Sequence, residues 1–137
     1  YIFNANSDKK ILTSYEESGT VVGRMDFFTG DVNQIWHVYK QADASGNTYY
    51  RIVNRSNNLA LEVSDGSADT GVLIDLYDNN INNTSQNWNI VPLGNGYYTI
   101  VSQSGVRMGY NTSSSIAETQ AVTQEKAQRW KFVLAGY

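Results

Sequence analysis

The chain of 137 residues contains no cysteine, which excludes disulfides and thiolate metal sites and leaves the redox compartment open. Proline occurs once, and no apolar run approaches the roughly 20 residues needed to cross a membrane as a helix. Charge is sparse: 17% of residues are charged and the net charge is -3. Without a clustered basic face, nucleic acid is not the expected partner. Long helices are also missing. Only Ala117 to Arg129 is rich in helix formers, and its apolar positions do not hold a 3.6-residue period. That stretch reads as an extended segment plus one helical turn.

What is present points to β structure. Ten tyrosines and eleven glycines fit many short strands joined by turns. The length suits one domain, large enough to bury a core. The chain opens at Tyr1 with no methionine and no charged-then-apolar leader, and so reads as an excised or processed piece of a longer protein.

A degenerate unit recurs along the whole chain. Three closers stand out: Gln34-Ile35-Trp36, Gln86-Asn87-Trp88 and Gln128-Arg129-Trp130. Each runs into alternating apolar residues, as a strand does. The openings match as well, with Ile2, Ile52 and Ile100 in register. A polar turn follows each opening: Asn6-Ser7-Asp8, Ser56-Asn57-Asn58 and Gln103-Ser104-Gly105. The second strands are Ile11 to Ser14, Ala60 to Val63 and Arg107 to Tyr110. The third strands are expected at Met25 to Phe28, Ile74 to Tyr77 and Thr119 to Val122. This predicts an all-β single domain, a β-trefoil of about twelve short strands, with repeats at roughly 1–45, 46–93 and 94–137. One unit alone leaves its apolar edge open, whereas three can share a core. A propeller is a poor rival, because three blades are too few.

A strand carrying Leu-acidic-Val (Leu61-Glu62-Val63), then Gly71 and Ile74-Asp75-Leu76-Tyr77, then a polar loop and Gln-x-Trp, resembles the ricin B-type β-trefoil lectins. The same fold includes carbohydrate-binding modules attached to xylanases, galactanases and arabinosidases. The chain departs from the common family pattern in lacking the cysteines that often follow the aromatic residue. The resemblance implies shallow sugar pockets, one possible in each repeat. Each uses an acidic residue on the second strand, an aromatic at the end of the third, and polar groups from the following loop. The chemistry is sound in its own right. A carboxylate accepts hydrogen bonds from adjacent sugar hydroxyls, and an aromatic face packs on the C–H face of the ring.

Carried onto this sequence, repeat two keeps the fullest set: Glu62, Asp75, Tyr77, Asn80 and Gln86. A second site is expected in repeat one at Asp26, Phe28, Asn33 and Gln34. There Asp26 is aligned with Asp75 and Phe28 with Tyr77. Thr13 stands where the carboxylate should be, and Glu16 or Glu17 compensates only if the loop folds back. Repeat three looks degenerate, because Gly109 removes the carboxylate and Val122 the aromatic. Tyr110 reads as an ordinary packed tyrosine.

The expected function is non-catalytic carbohydrate binding, to galactosides or plant-polysaccharide sugars such as galactose, arabinose or xylose. The domain is then a module of a larger secreted protein, targeting an attached enzyme or toxin domain to glycan. No cofactor, metal or membrane insertion is expected. The single histidine, His37, follows a core Trp and reads as a strand residue rather than a base. Glu62 and Asp75 are the one carboxyl pair that the repeat brings near each other, in a pocket expected to be too open to raise a pKa by burial. Asp65-Gly66-Ser67-Ala68-Asp69 hints at a calcium loop without its full ligand series. A protein-interaction trefoil of the inhibitor type, with no sugar site, is the alternative.

Overall fold

The computed structural model describes residues 1–136 and, at Asp8, the backbone alone. Tyr137, which closes the third repeat in sequence, lies outside the described residues. Among the described residues there are twelve strands, four to each repeat. Repeat one holds β1 (Ile2–Asn4), β2 (Ser7–Glu17), β3 (Thr20–Phe27) and β4 (Trp36–Ala42). Repeat two holds β5 (Thr48–Asn54), β6 (Leu59–Val63), β7 (Ile74–Asp78) and β8 (Trp88–Gly94). Repeat three holds β9 (Tyr97–Ser102), β10 (Arg107–Tyr110), β11 (Ala117–Gln120) and β12 (Trp130–Phe132). Among the described residues the only helical pieces are 3-10 turns. One precedes each closer, at Val32–Gln34, Thr84–Gln86 and Lys126–Gln128, and a fourth spans Ser64–Gly66. The first polar turn is shorter than expected, since β2 already begins at Ser7.

All twelve strands join one hydrogen-bonded sheet, and β8 pairs with both β5 and β9, so the path closes on itself. At one end the hairpins β2–β3, β6–β7 and β10–β11 meet as a three-sided cap. Its three seams are Val22 opposite Asp75, Leu73 opposite Glu118 and Arg24 opposite Ile116. The longest hairpin, β2–β3, turns at Ser18 and Gly19 with φ of 52° and 84°. Two successive left-handed residues suit the right-handed twist of the flanking strands. Glu16 and Glu17 pair with Val21 and Thr20 near that tip, and do not fold back towards Thr13.

The core repeats with the sequence. Ile2, Ile52 and Ile100 are buried from the first strands, and Leu12, Leu61 and Met108 from the second. The closing tryptophans Trp36, Trp88 and Trp130 complete each set. Each donates its indole N–H to the carbonyl of that second-strand residue, Leu12, Leu61 or Met108, at 2.9, 2.9 and 3.0 Å. The tryptophan therefore contributes apolar area while its one polar group is satisfied. Backbone bonds from Ala5 to Arg129, Arg55 to Ile35 and Gln103 to Asn87 stitch each opening to the preceding closer.

The third strands require a correction of two residues. Leu12 pairs with Met25, Leu61 with Leu76 and Met108 with Thr119. Met25 therefore lies over Leu76, not over Ile74 as the sequence suggested. The third core position belongs to Thr119, whose hydroxyl donates to Asp69 O at 2.7 Å and accepts from Val72 N at 2.9 Å. On the outer face, Glu62, Thr13 and Gly109 are equivalent, as are Asp75, Arg24 and Glu118. Tyr77 corresponds to Asp26 and Gln120, because these pair with Ala60, Ile11 and Arg107.

Candidate functional site

Strand pairing places Glu62 directly opposite Asp75, and Ala60 opposite Tyr77. Directly opposed residues share a face, so the two carboxyls and the phenol line one patch. The small Ala60 leaves the tyrosine ring free, and Tyr77 is 62% exposed. These side chains border a cleft of about 590 Å³ whose other wall is built by Asp65, Asn83 and Ser85. That wall forms because the turn at Ser64–Gly66 approaches the one at Thr84–Gln86: a Cβ on Gly66 would lie 3.4 Å from Ser85 Cβ.

Glu62 is held rather than free. Its Oε1 accepts from Gln86 Nε2 at 3.1 Å and from Asn83 Nδ2 at 3.4 Å. Its other oxygen receives no amide or hydroxyl donor among the described residues, and the side chain stands within hydrogen-bond reach of the Asp75 carboxyl. Gln86 lies beneath the cleft, fully buried, and does not line it. Its amide donates to Asp78 O at 2.7 Å and accepts from Asn80 N at 3.1 Å, which fixes the loop. Asn80 likewise does not line the cleft, and its side chain accepts from Asn82 N. Of the five residues expected in repeat two, the structure thus groups Glu62, Asp75 and Tyr77 at the cleft, buries Gln86 beneath it and leaves the exposed Asn80 outside its lining.

Arg51 was not singled out from the sequence. It is fully buried, and its guanidinium donates to Gln86 Oε1, Asn79 Oδ1 and the carbonyls of Ile81 and Asn83. Burial lowers its pKa from the ordinary arginine value, with Tyr39 opposing. The chain Arg51–Gln86–Glu62 links a buried cation to the cleft carboxylate through one amide. Asp65 and Ser85 were also missed as a pair. The only sequence signal was the Asp65-Gly66 turn, which builds the cleft wall.

The expectation that so open a pocket leaves its carboxyls unraised by burial fails for Asp75. Burial, then the Glu62 carboxylate beside it, push its carboxyl up to about 6. Its Oδ1 is buried without a hydrogen-bond partner. Between its ordinary value of 3.8 and about 6, the folded chain holds a proton that the unfolded chain has released. Stability attributable to this group therefore falls as pH rises through that window. The neutral Asp75→Asn variant is expected to gain stability over wild type at pH 7 and to lose that advantage towards pH 4. Chemical denaturation at both pH values measures it.

Repeat one does not assemble the expected second set. Asp26 occupies the Tyr77 position and pairs with Arg24 at 2.9 Å, while that arginine lies 3.3 Å from the Tyr15 ring centroid. Phe28 packs against Tyr1 and Phe3, with centroids 4.9 and 5.8 Å away. Asn33 reaches Ser14 O at 3.4 Å. Gln34 is buried, donating to Phe27 O and Thr13 Oγ1. A cation thus stands where repeat two has Asp75, and Phe28, though still 47% exposed, leans on Tyr1 and Phe3 away from the Tyr77 position.

Repeat three fills its own pocket. A Cβ on Gly109 would collide with the Gln120 side-chain amide, so the glutamine occupies the space that Glu62 holds in repeat two. Gln128 Nε2 donates to that same oxygen at 3.2 Å. Tyr110 is buried, and its hydroxyl accepts from Asn6 at 2.8 Å.

A family model described as ricin-type beta-trefoil lectin domain-like matches residues 32–125. Among solved structures, the designed three-fold symmetric protein ThreeFoil is 24% identical with a TM-score of 0.82, covering 95% of this chain and 94% of that one. An exo-beta-1,3-galactanase from Clostridium thermocellum is 26% identical with a TM-score of 0.68, covering 93% of this chain and 30% of the enzyme. A Polyporus squamosus lectin bound to a Neu5Aca2-6Galb1-4GlcNAc epitope is 19% identical with a TM-score of 0.80, covering 96% of this chain and 46% of the lectin. No curated protein matches at a significant level.

Proposed function

Because the chain belongs to the ricin-type beta-trefoil lectin domain-like family, we propose that it binds carbohydrate non-catalytically through the acidic cleft of repeat two. The observation that carries this reading is a carboxylate pinned by amides on one oxygen only, beside an exposed tyrosine ring. The other oxygen of Glu62 accepts from one hydroxyl and Asp75 from a neighbour. Tyr77 offers a flat face to the C–H side of a pyranose. Asn83 and Ser85 supply amide and hydroxyl groups at the rim.

A β-linked galactoside is the first ligand to test, since the exo-beta-1,3-galactanase is 26% identical to this chain over 93% of its length. Arabinose and xylose fit the same acid-plus-aromatic geometry. Catalysis is not proposed. A glycosidase flanks the scissile bond with carboxyls at least about 5 Å apart, whereas Glu62 and Asp75 face each other from paired strands on one floor. The chain spans 30% of the galactanase and 46% of the lectin, which supports a module carried beside other domains; that the parent protein is secreted is part of the same proposal. Single shallow sites give affinities of about mM, or roughly -4 kcal/mol, and tethering raises the effective concentration.

Calorimetric titration with β-1,3-galactobiose tests the assignment. Tyr77→Ala and Glu62→Gln are each expected to weaken binding by about tenfold or more, close to 1.4 kcal/mol. Unchanged affinity in both variants contradicts the site. Failure to bind any glycan, together with tight capture of a protein, favours the inhibitor-like alternative.

A further inference from the structure

A second cleft of about 590 Å³ lies on repeat three, between the β8–β9 turn and the loop that follows β11. Its polarity is opposite to that of the Glu62 cleft. Leu93, Asn95, Tyr97, Arg107, Val122 and Arg129 line it, and no lining residue is acidic. Arg107 is the first residue of β10, and Arg129 follows the last 3-10 turn. Both are half-buried. Each is anchored to the same loop by one bond: Arg107 Nη1 to Thr123 O at 2.8 Å, and Arg129 Nη2 to Gln124 O at 2.7 Å.

Those anchors orient the two guanidinium groups without neutralising them. Among the described residues no carboxylate forms an ion pair with Arg107 or Arg129. A guanidinium carries five N–H donors in a fixed fork, and each of these uses one on the loop. The remaining donors suit a planar oxyanion, which arginine binds bidentately. Two such cations held at one cleft of a chain with net charge -3 are not explained by bulk solubility. Beside them, the half-buried Tyr97 ring and the exposed Leu93 and Val122 give an apolar surface of the kind that takes the C–H face of a sugar. The backbone is fixed here too, because Gln128 Oε1 accepts from Thr123 N at 3.1 Å.

We propose that this cleft binds an acidic saccharide, its carboxylate taken by Arg107 and Arg129 and its ring resting on Tyr97. Repeat three thus loses the neutral-sugar position to Gln120 yet presents a different site on the far side of the same loop. The proposal shares no residue with the cleft of repeat two, so either can fail without the other.

The test is an NMR titration of the isotope-labelled wild-type chain, read at backbone amides and arginine Nε–H groups at low salt. Three probes are compared: trigalacturonate, neutral β-galactotriose and sodium sulfate. Trigalacturonate is expected to shift Arg107, Arg129 and Tyr97, with an affinity about tenfold or more above either other probe. Added salt is expected to weaken it. Arg107→Gln and Arg129→Gln are each expected to reduce it by about tenfold, while β-1,3-galactobiose still shifts Tyr77. The wild-type spectra read the site even if a variant loosens the loop. Equal binding of β-galactotriose at these residues overturns the proposal, as does sulfate matching trigalacturonate. So does the absence of any shift at Arg107 and Arg129 at millimolar trigalacturonate.

Discussion

Replacing Arg51 by methionine is expected to destabilise the fold by about 3–5 kcal/mol, a fall in Tm of roughly 10–20 °C, and to abolish sugar binding. Methionine fills the volume of the stem but supplies no donor. Gln86 Oε1 then loses its guanidinium partner, and the carbonyls of Ile81 and Asn83 lose theirs. These groups belong to a loop that has no strand of its own, and the guanidinium bonds it at four points. Glu62 then keeps a buried carboxylate whose amide donor, still tied to Asp78 O and Asn80 N, has lost its charged partner. Breaking one member of such a buried network leaves an uncompensated charge, which is why the effect exceeds that of an ordinary hydrogen bond. Arg51→Lys keeps the charge with a single donor head and is expected to fall between wild type and Arg51→Met. Thermal unfolding by circular dichroism, beside calorimetry with β-1,3-galactobiose, separates the two losses. Unfolding unchanged within about 1 kcal/mol contradicts the role assigned to Arg51.

Truncating Trp88 to alanine is expected to cost about 3–5 kcal/mol, of the same order as Arg51→Met but by a different route. Trp88 is fully buried at the centre of the shared core, and its loss opens a cavity that three rigid repeats cannot collapse to fill. It also leaves Leu61 O without the indole donor. Leu61 precedes Glu62, so the damage reaches the cleft floor through the backbone. Trp88→Phe restores most of the volume without the N–H, and is expected to recover more than half of the lost stability. Denaturant unfolding of both variants checks this. Near-equal instability of the two assigns the effect to the hydrogen bond instead of the cavity.

The three-fold scaffold was readable because its anchors are large and carry their own satisfaction. A tryptophan that buries its ring and donates its N–H to a fixed carbonyl tolerates few replacements, so Trp36, Trp88 and Trp130 mark the period plainly. Ile2, Ile52 and Ile100 repeat for the same reason of core volume.

The register of the third strand was not readable. Each closing glutamine donates to a carbonyl at the strand end, but the separation is 7, 8 and 7 residues, from Gln34 to Phe27, Gln86 to Asp78 and Gln128 to Ala121. A one-residue change in a polar loop leaves no apolar mark. Apolar alternation then favoured Phe28 over Asp26 as the partner of Tyr77, because an aromatic resembles an aromatic. The backbone decides otherwise, through the pairing of Ile11 with Asp26 and Ala60 with Tyr77.

Arg51 was hidden by its strand. Residues 51–54 are all buried, so alternation breaks where the loop folds over the sheet, and an arginine in such a run looks like an exposed position. In repeat two, Glu62, Asp75 and Tyr77 could be placed because sequence order alone puts them on facing strands. The Asp65 and Ser85 wall could not, because it depends on two turns meeting across the chain.

The most direct measurement is a residue-resolved NMR titration of the wild-type chain with β-1,3-galactobiose. Shifts are expected at Asp65, Tyr77, Asn83 and Ser85, with the equivalent outer-face positions Asp26 and Gln120 unmoved. Shifts centred on Arg24 and Asp26, or of equal size in all three repeats, contradict a single working site in repeat two.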